Sequence, residues 1–238
     1  MIKKDLNVKI FADGAVLKDM MEADSNKVIK GFTTNPSLMK KAGITSYETF
    51  ARDVLKNIKE KPISFEVFSD EFEMMEKEAK KIGSLGKNVY IKIPITNSRG
   101  ESSIPLVKRL SEQGLSLNVT AILTIKQVEE TVEALAPETT NIVSVFAGRM
   151  ADSGINPIPY MKQAAEICHS KKGTELLWAS SREVLNIFQA DECECDIITV
   201  TNDLLNKFMK VGRSLEDISL DTVKMFNNDI KTLGYSIL

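Results

Sequence analysis

Val89-Tyr-Ile-Lys-Ile93 carries one lysine inside an otherwise apolar, strand-forming run. Side chains alternate across a strand, so Val89, Ile91 and Ile93 share one face and Lys92 lies on the other. Neighbouring runs repeat the pattern. In Ile63–Phe68, Phe65 and Val67 oppose Ser64, Glu66 and Phe68. In Leu115–Ala121, Leu117 and Val119 oppose Asn118 and Thr120, and in Asn141–Phe146, Val143 and Val145 oppose Ser144 and Phe146. Strands buried on both faces are apolar on both, so polar residues confined to one parity need a reason. A cover of helices suits the aliphatic side, and an interior shared by several strands suits the polar one.

Further strand-like runs lie at Val8–Ala12, Val28–Thr33, Glu175–Ala179 and Asp196–Val200, which brings the total to eight. Between the runs are amphipathic stretches such as Glu71–Ile82, Ile104–Gln113, Ile125–Leu135, Ile158–His169 and Arg182–Ala190, with apolar residues at three and four spacing. Gly83, Gly86, Gly114 and Gly173 fall just after expected helix ends, where a left-handed residue is wanted. Eight strands, each followed by a helix, predict an α/β chain closed into a (β/α)8 TIM barrel. Residues 1–238 are expected to form a single such domain, with Ser219–Gly234 as an extra C-terminal helix. An open doubly wound sheet is the alternative, but no Gly-rich nucleotide loop follows the first strand.

Composition removes several function classes. The 238 residues include 33 Asp and Glu against 31 Lys and Arg, a net charge of -2. That balance gives no electrostatic footprint for nucleic acid or an anionic membrane. No apolar run reaches the roughly 18 residues that span a bilayer. Met1–Asp5 leads into a strand-like segment and not into the apolar region of a signal peptide, so a cytoplasmic location is expected. Cys168, Cys193 and Cys195 are an odd set that argues against a disulfide framework, and Cys193-Glu194-Cys195 reads as free thiols in a polar loop. The single histidine, His169, sits at an apparent helix end, where it reads as a C-terminal cap. Neither a metal nor another cofactor is expected, and acid–base work falls to carboxylates, lysine or tyrosine.

The shared parity gathers Glu66, Lys92, Asn118, Thr120 and Ser144 inside the barrel, with Asp13 and Asn35 just past the ends of the first two strands. Barrel enzymes keep their sites at that carboxyl face. Burial disfavours a charged amine, and a free amine attacks carbonyls to give an iminium, an electron sink for a neighbouring carbanion. Such chemistry needs proton-transfer partners, and Asp13, Glu66 and Thr120 are suitable types. Arg149, ending Ser144-Val-Phe-Ala-Gly-Arg149, and Arg182, in Ser180-Ser-Arg182, follow adjacent late strands. Barrels often bind phosphate there, and Ser180–Arg182 is expected to open a helix with free N–H groups.

With these residues assembled, the chain resembles the transaldolases, particularly the short single-domain type, nearly from end to end. The segments that carry the resemblance are Phe11-Ala-Asp13, Gly31-Phe-Thr-Thr-Asn-Pro-Ser-Leu38, Ser64-Phe-Glu-Val67, Val89-Tyr-Ile-Lys-Ile-Pro-Ile-Thr96, Leu117-Asn-Val-Thr120, Val143-Ser-Val-Phe-Ala-Gly-Arg149 and Trp178-Ala-Ser-Ser-Arg182. The resemblance implies that Lys92 forms a Schiff base, that Asp13 is the acid–base for C–C cleavage, and that Glu66 and Thr120 hold a water. It implies that Asn35, Asn118 and Ser144 contact the substrate chain, and that Arg149, Ser180 and Arg182 hold its phosphate. The implied reaction moves a dihydroxyacetone unit from a ketose phosphate, sedoheptulose 7-phosphate or fructose 6-phosphate, to glyceraldehyde 3-phosphate or erythrose 4-phosphate. The alternatives are a fructose-6-phosphate aldolase and a barrel that only binds sugar phosphates.

Within the resemblance, fructose-6-phosphate aldolases tend to carry Gln in place of Glu66 and Tyr in place of Phe146, so these two residues point to the transferase. Two positions at the mouth depart from the family pattern and bear on acceptor preference. Gly14 stands where Thr or Ser is usual, and Thr199-Val-Thr-Asn-Asp203 stands where short transaldolases tend to have prolines. Ile218, Val223, Phe226, Ile230 and Leu233 recur at helical spacing after the barrel is complete. That helix must cover its own barrel or dock on a neighbour, and a homo-oligomer is expected.

Overall fold

A computed structural model describes residues 6–235 and 237, so the opening Met1–Asp5 lies outside it. The elements run β1 (Lys9–Asp13), α1 (Leu17–Ser25), β2 (Ile29–Thr33), α2 (Pro36–Lys41), α3 (Tyr47–Asn57), β3 (Ile63–Glu66), α4 (Phe72–Gly83), β4 (Val89–Pro94) and α5 (Ile104–Glu112). They continue with β5 (Leu117–Ile122), α6 (Ile125–Ala134), β6 (Asn141–Val145), α7 (Ala147–Asp152), α8 (Ile158–His169), β7 (Thr174–Trp178), α9 (Leu185–Glu192), β8 (Ile197–Val200), α10 (Asn202–Phe208) and α11 (Leu215–Thr232). Each strand pairs in parallel with the next, and β8 closes on β1. The (β/α)8 TIM barrel with a C-terminal helix is therefore the architecture. Among the described residues no helix is long and apolar enough to cross a membrane.

Strand parity divides the core in two. Phe65, Val89, Ile91, Ile93, Leu117, Val119, Val143 and Val145 belong to the large cluster beneath the helices. Phe11, Ile142, Leu177, Ala179 and Ile197, with Tyr90 and Phe146 packed against them, form a smaller cluster inside the barrel. The Phe11 ring fills that space because Gly31 faces it. A Cβ at Gly31 would come within 2.5 Å of the ring.

Several local readings are corrected. β3 ends at Glu66, so Phe68 leaves the strand parity, lies exposed and sets its ring edge-on to Tyr47. Gly114 and Gly173 are left-handed, at φ +84° and +78°, whereas Gly83 and Gly86 are not. Cys193 and Cys195 are buried beside helix and strand backbone, and only Glu194 of that segment faces solvent. Burial pushes the Cys168 and Cys195 thiols well above their usual range, which makes them packing residues. His169 does end α8, but its Nε2 meets Asp196 Oδ2 at 3.0 Å across the chain. α11 begins at Leu215, before Ser219, because the Ser214 hydroxyl caps the Asp217 N–H at 3.1 Å.

Candidate active site

The carboxyl ends of the strands surround a cavity of about 480 Å³. Asp13, Asn35, Glu66, Lys92, Thr120, Ser144, Phe146, Arg149 and Ser180 all line it, together with Thr33, Leu177 and Thr199. Strand register explains the first meeting: Glu66 pairs with Lys92 across β3 and β4, and both point inward. Lys92 is 7% exposed, with its Nζ 3.3 Å from Glu66 Oε2 and donating to the Thr34 carbonyl at 3.2 Å. A buried ammonium without partners would be costly, and these two oxygens supply them.

Asp13 is the last residue of β1, where its Oδ1 accepts a hydrogen bond from the Thr33 hydroxyl at 2.7 Å. Burial raises the Asp13 carboxyl above the ordinary range, opposed by the Lys92 charge and the Thr33 hydroxyl. Burial raises Glu66 likewise, with Lys92 opposing and Asp13 adding to the rise. Carboxyl groups displaced upward are closer to the poise that proton transfer near neutral pH requires. Thr120 lies on the same face, its hydroxyl buried and without a protein partner. A buried hydroxyl in that condition has free capacity for water or substrate.

The floor is a short polar chain. The Asn118 amide donates to Ser64 Oγ at 2.9 Å, and Ser144 Oγ donates to Asn118 Oδ1 at 2.7 Å. Asn118 is fully buried and sits beneath the cavity, where it orients Ser144. Asn35 reaches the rim as the N-cap of α2, with its Oδ1 accepting from the Leu38 N–H at 2.9 Å and Pro36 opening the helix. Among the described residues its amide nitrogen has no hydrogen-bond partner, and Asn35 lines the cavity.

Beyond β6 and β7 the two expected arginines part company. Arg149, on the short helix α7, lines the cavity with its guanidinium 5.4 Å from the centre of the Phe146 ring. Arg182 does not line it. Its Nε contacts both oxygens of Asp152 at 3.1 and 3.0 Å, and its Nη2 bonds the same carboxylate. The helix expected to open at Ser180–Arg182 begins instead at Leu185. The N–H groups of Arg182 and Glu183 both donate to Asn186 Oδ1, at 2.8 and 3.1 Å, so they are not free for an anion. Ser180 does line the cavity, held in a left-handed conformation at φ +65°. Its carbonyl lies so close to α7 that a Cβ on Gly148 would come within 1.6 Å, and only glycine allows that approach.

Sequence reasoning did not single out Thr33, Ser64, Thr34 or Asp152. Thr33 and Ser64 share the inward parity, which was the signal available. The Thr34 contact is a backbone carbonyl and leaves no trace in residue type. Among the described residues no group of three or more His, Cys, Asp and Glu side chains is arranged to hold a metal ion. The assembled groups are one buried amine, two carboxyls with raised affinity for protons, an unpartnered hydroxyl and a rim arginine. That set suits amine attack on a carbonyl with local proton transfer.

Comparison with known proteins identifies the family. The profile of the family described as Transaldolase/Fructose-6-phosphate aldolase matches residues 10–237. A protein named probable transaldolase from Caldicellulosiruptor saccharolyticus is 34% identical over 216 residues, covering 90% of this chain and 94% of its own. One of the same name from Thermoanaerobacter is 33% identical over 231 residues, 97% of this chain and 100% of its own. A third, from Methanococcus maripaludis, is 33% identical over 215 residues, 90% of this chain and 94% of its own.

Proposed function

The chain belongs to the transaldolase/fructose-6-phosphate aldolase family, and from that membership we propose that it is a transaldolase working through a Schiff base on Lys92. The observation that carries the reading is the buried Lys92 amine, 3.3 Å from Glu66 and sharing a cavity with Asp13 and Thr120. The Lys92 amine attacks the ketose carbonyl, and the proton it sheds has Glu66 beside it. The carbinolamine loses water to give an iminium, with Glu66 and the free Thr120 hydroxyl holding that water. Asp13 takes the proton of the hydroxyl next to the breaking C–C bond, and the aldose leaves. The dihydroxyacetone unit stays on Lys92 as an enamine, attacks the aldehyde of the acceptor, and hydrolysis returns the amine.

Asn35, Ser144 and, through Ser144, Asn118 hold the sugar chain, while Arg149, Ser180 and Arg182 serve its phosphate. Donor and acceptor in this reading are the ketose and aldose phosphates of a pentose phosphate pathway, and the proposed location is the cytoplasm. One barrel domain contains the whole site. Uncovered apolar residues along α11 support an assembly of several copies. A fructose-6-phosphate aldolase is the second reading, and the carboxyl of Glu66, where such aldolases tend to carry Gln, and the Phe146 ring favour the transferase over it. A barrel that only binds sugar phosphates has no use for a buried amine that shares its cavity with the carboxyls of Asp13 and Glu66.

Borohydride reduction in the presence of fructose 6-phosphate tests the proposal. Mass spectrometry should find a reduced three-carbon adduct on Lys92, and Lys92→Ala should lose transfer by on the order of 10³-fold or more while keeping its fold. An adduct on a different lysine, or an active Lys92→Ala protein, overturns it.

A further inference from the structure

Arg149 and Arg182 lie beyond β6 and β7 and stand differently toward the cavity. Arg149 lines the cavity, whereas Arg182 turns its Nε and Nη2 edge onto Asp152. Asp152 ends the same helix, α7, that carries Arg149, so it sits about one turn further out. The placement is rigid at its base: the Gly148 N–H donates to the Ala179 carbonyl, and Gly148 packs against the Ser180 backbone. A carboxylate and a phosphate present the same pair of oxygens to a guanidinium edge.

We propose that Asp152 is a built-in competitor for substrate phosphate, occupying the Arg182 edge that a phosphate dianion would take. This rests on the reading above that Arg149 and Arg182 serve the phosphate. A dianion first meets Arg149 at the rim and then displaces the Asp152 carboxylate from Arg182. An unphosphorylated sugar has nothing to exchange, and Arg182 stays with Asp152. Both partners are about half exposed, at 49% and 52% of their side chains, so the ion pair is weak enough to give way to a doubly charged ligand. Asp152 thereby sets how much of the affinity for a sugar phosphate comes from the phosphate.

Asp152→Asn keeps the shape and removes the charge. The KM for fructose 6-phosphate, divided by that for fructose, should fall about two- to fivefold, the range of one surface ion pair. The inhibition constant of inorganic phosphate should fall by the same factor. In Arg182→Ala the Asp152→Asn change should have no further effect on either quantity. A raised or unchanged ratio in Asp152→Asn overturns the competitor, and a raised one makes Asp152 a positioning residue for Arg182. Failure of the underlying reading looks different: Arg149→Ala and Arg182→Ala would then weaken fructose and fructose 6-phosphate equally.

Discussion

The barrel interior and α11 break the same rule in opposite directions. Inside the barrel, Lys92, Ser64, Asn118, Thr120 and Ser144 are polar and buried. Along α11, Leu215, Ile218, Val223, Phe226 and Ile230 are apolar and exposed, and no residue of the helix is buried. Interior polar groups are tolerated where they satisfy one another, as Asn118, Ser64 and Ser144 do. What they leave over, the Thr120 hydroxyl, faces with Asn35 a cavity that a substrate can fill. Exposed apolar groups on α11 have no such internal answer, since the helix does not lie on its own barrel. Under the proposed reading the two regions await different occupants, a small polar ligand in the cavity and a second copy of the chain on the apolar face of α11.

The largest effect should come from Asp13. Asp13→Asn removes an acid–base group but keeps the acceptor for Thr33, and transfer should fall by roughly 10²- to 10⁴-fold. Stability should move the other way. Because burial raises the Asp13 carboxyl, the folded chain binds more protons than the unfolded one from about pH 4 upward, and stability falls as pH rises through that window. Asn has nothing to ionise, so urea denaturation should show the variant gaining on the unaltered protein between pH 4 and 7. A gain that shrinks with rising pH would mean that Asp13 is not buried as described.

Next is the opposite side of the comparison. Phe226 and Ile230 are 55% and 60% exposed on one face of α11. Burying such side chains against a second copy contributes roughly 1.5–3 kcal/mol each. Phe226→Asp with Ile230→Asp should therefore raise the dissociation constant of the assembly on the order of 10²-fold or more. Light scattering should report a multiple of 26.5 kDa before the change and the single-chain mass after it. A single-chain mass for the unaltered protein at micromolar concentration would remove the contrast altogether.

How much of this was readable in sequence follows from the range of the interactions. Lys92, Glu66, Asn118, Thr120 and Ser144 were legible because strand alternation has a period of two and the opposite parity carries the apolar Phe65, Ile91, Ile93, Leu117, Val119, Val143 and Val145. The closed barrel was legible from the regular succession of strands and helices. α11 was legible as an extra amphipathic helix, but not its lack of contact with the barrel, because periodicity states that a face is apolar without stating what covers it. The Arg182–Asp152 pair was hidden, since it joins the end of α7 to a loop 30 residues away with no periodic signal. The start of α9 was misplaced for a related reason: Asn186 takes the N–H groups of Arg182 and Glu183 and holds them out of the helix. Cys193 and Cys195 look like loop residues in a polar context, and only the packing of α8 and α9 buries them.

A smaller effect than either of those is expected at the rim. Arg149→Ala removes a charge-assisted contact of roughly 1.5–3 kcal/mol, or about 10- to 150-fold in KM for a phosphorylated donor. Arg182→Ala should cost less, because Asp152 already neutralises that guanidinium. Dihydroxyacetone, which has no phosphate, should be nearly indifferent to both, as steady-state kinetics with the two donors would reveal. Equal losses for both donors would give the arginines a structural role.

The smallest change adds one oxygen atom to the interior. A transferase has to keep the dihydroxyacetone enamine from being protonated until an aldose arrives, so the wall around it should offer no spare donor. Phe146 lies at that wall, packed with Phe11, Leu177 and Ala179 and covered on one side by the Arg149 guanidinium. A phenolic O–H at this position can hold a water that delivers a proton, whereas a phenyl ring cannot. Phe146→Tyr should therefore release free dihydroxyacetone from fructose 6-phosphate faster than the unaltered protein. One added hydrogen bond is worth about 0.5–1.5 kcal/mol, so the partition between cleavage and transfer should shift about two- to tenfold. A coupled assay for the free ketone, run without an aldose acceptor, reads that partition directly. If the unaltered protein already releases the ketone as fast as it transfers it, the apolar wall does not protect the intermediate, and the second reading as an aldolase takes over.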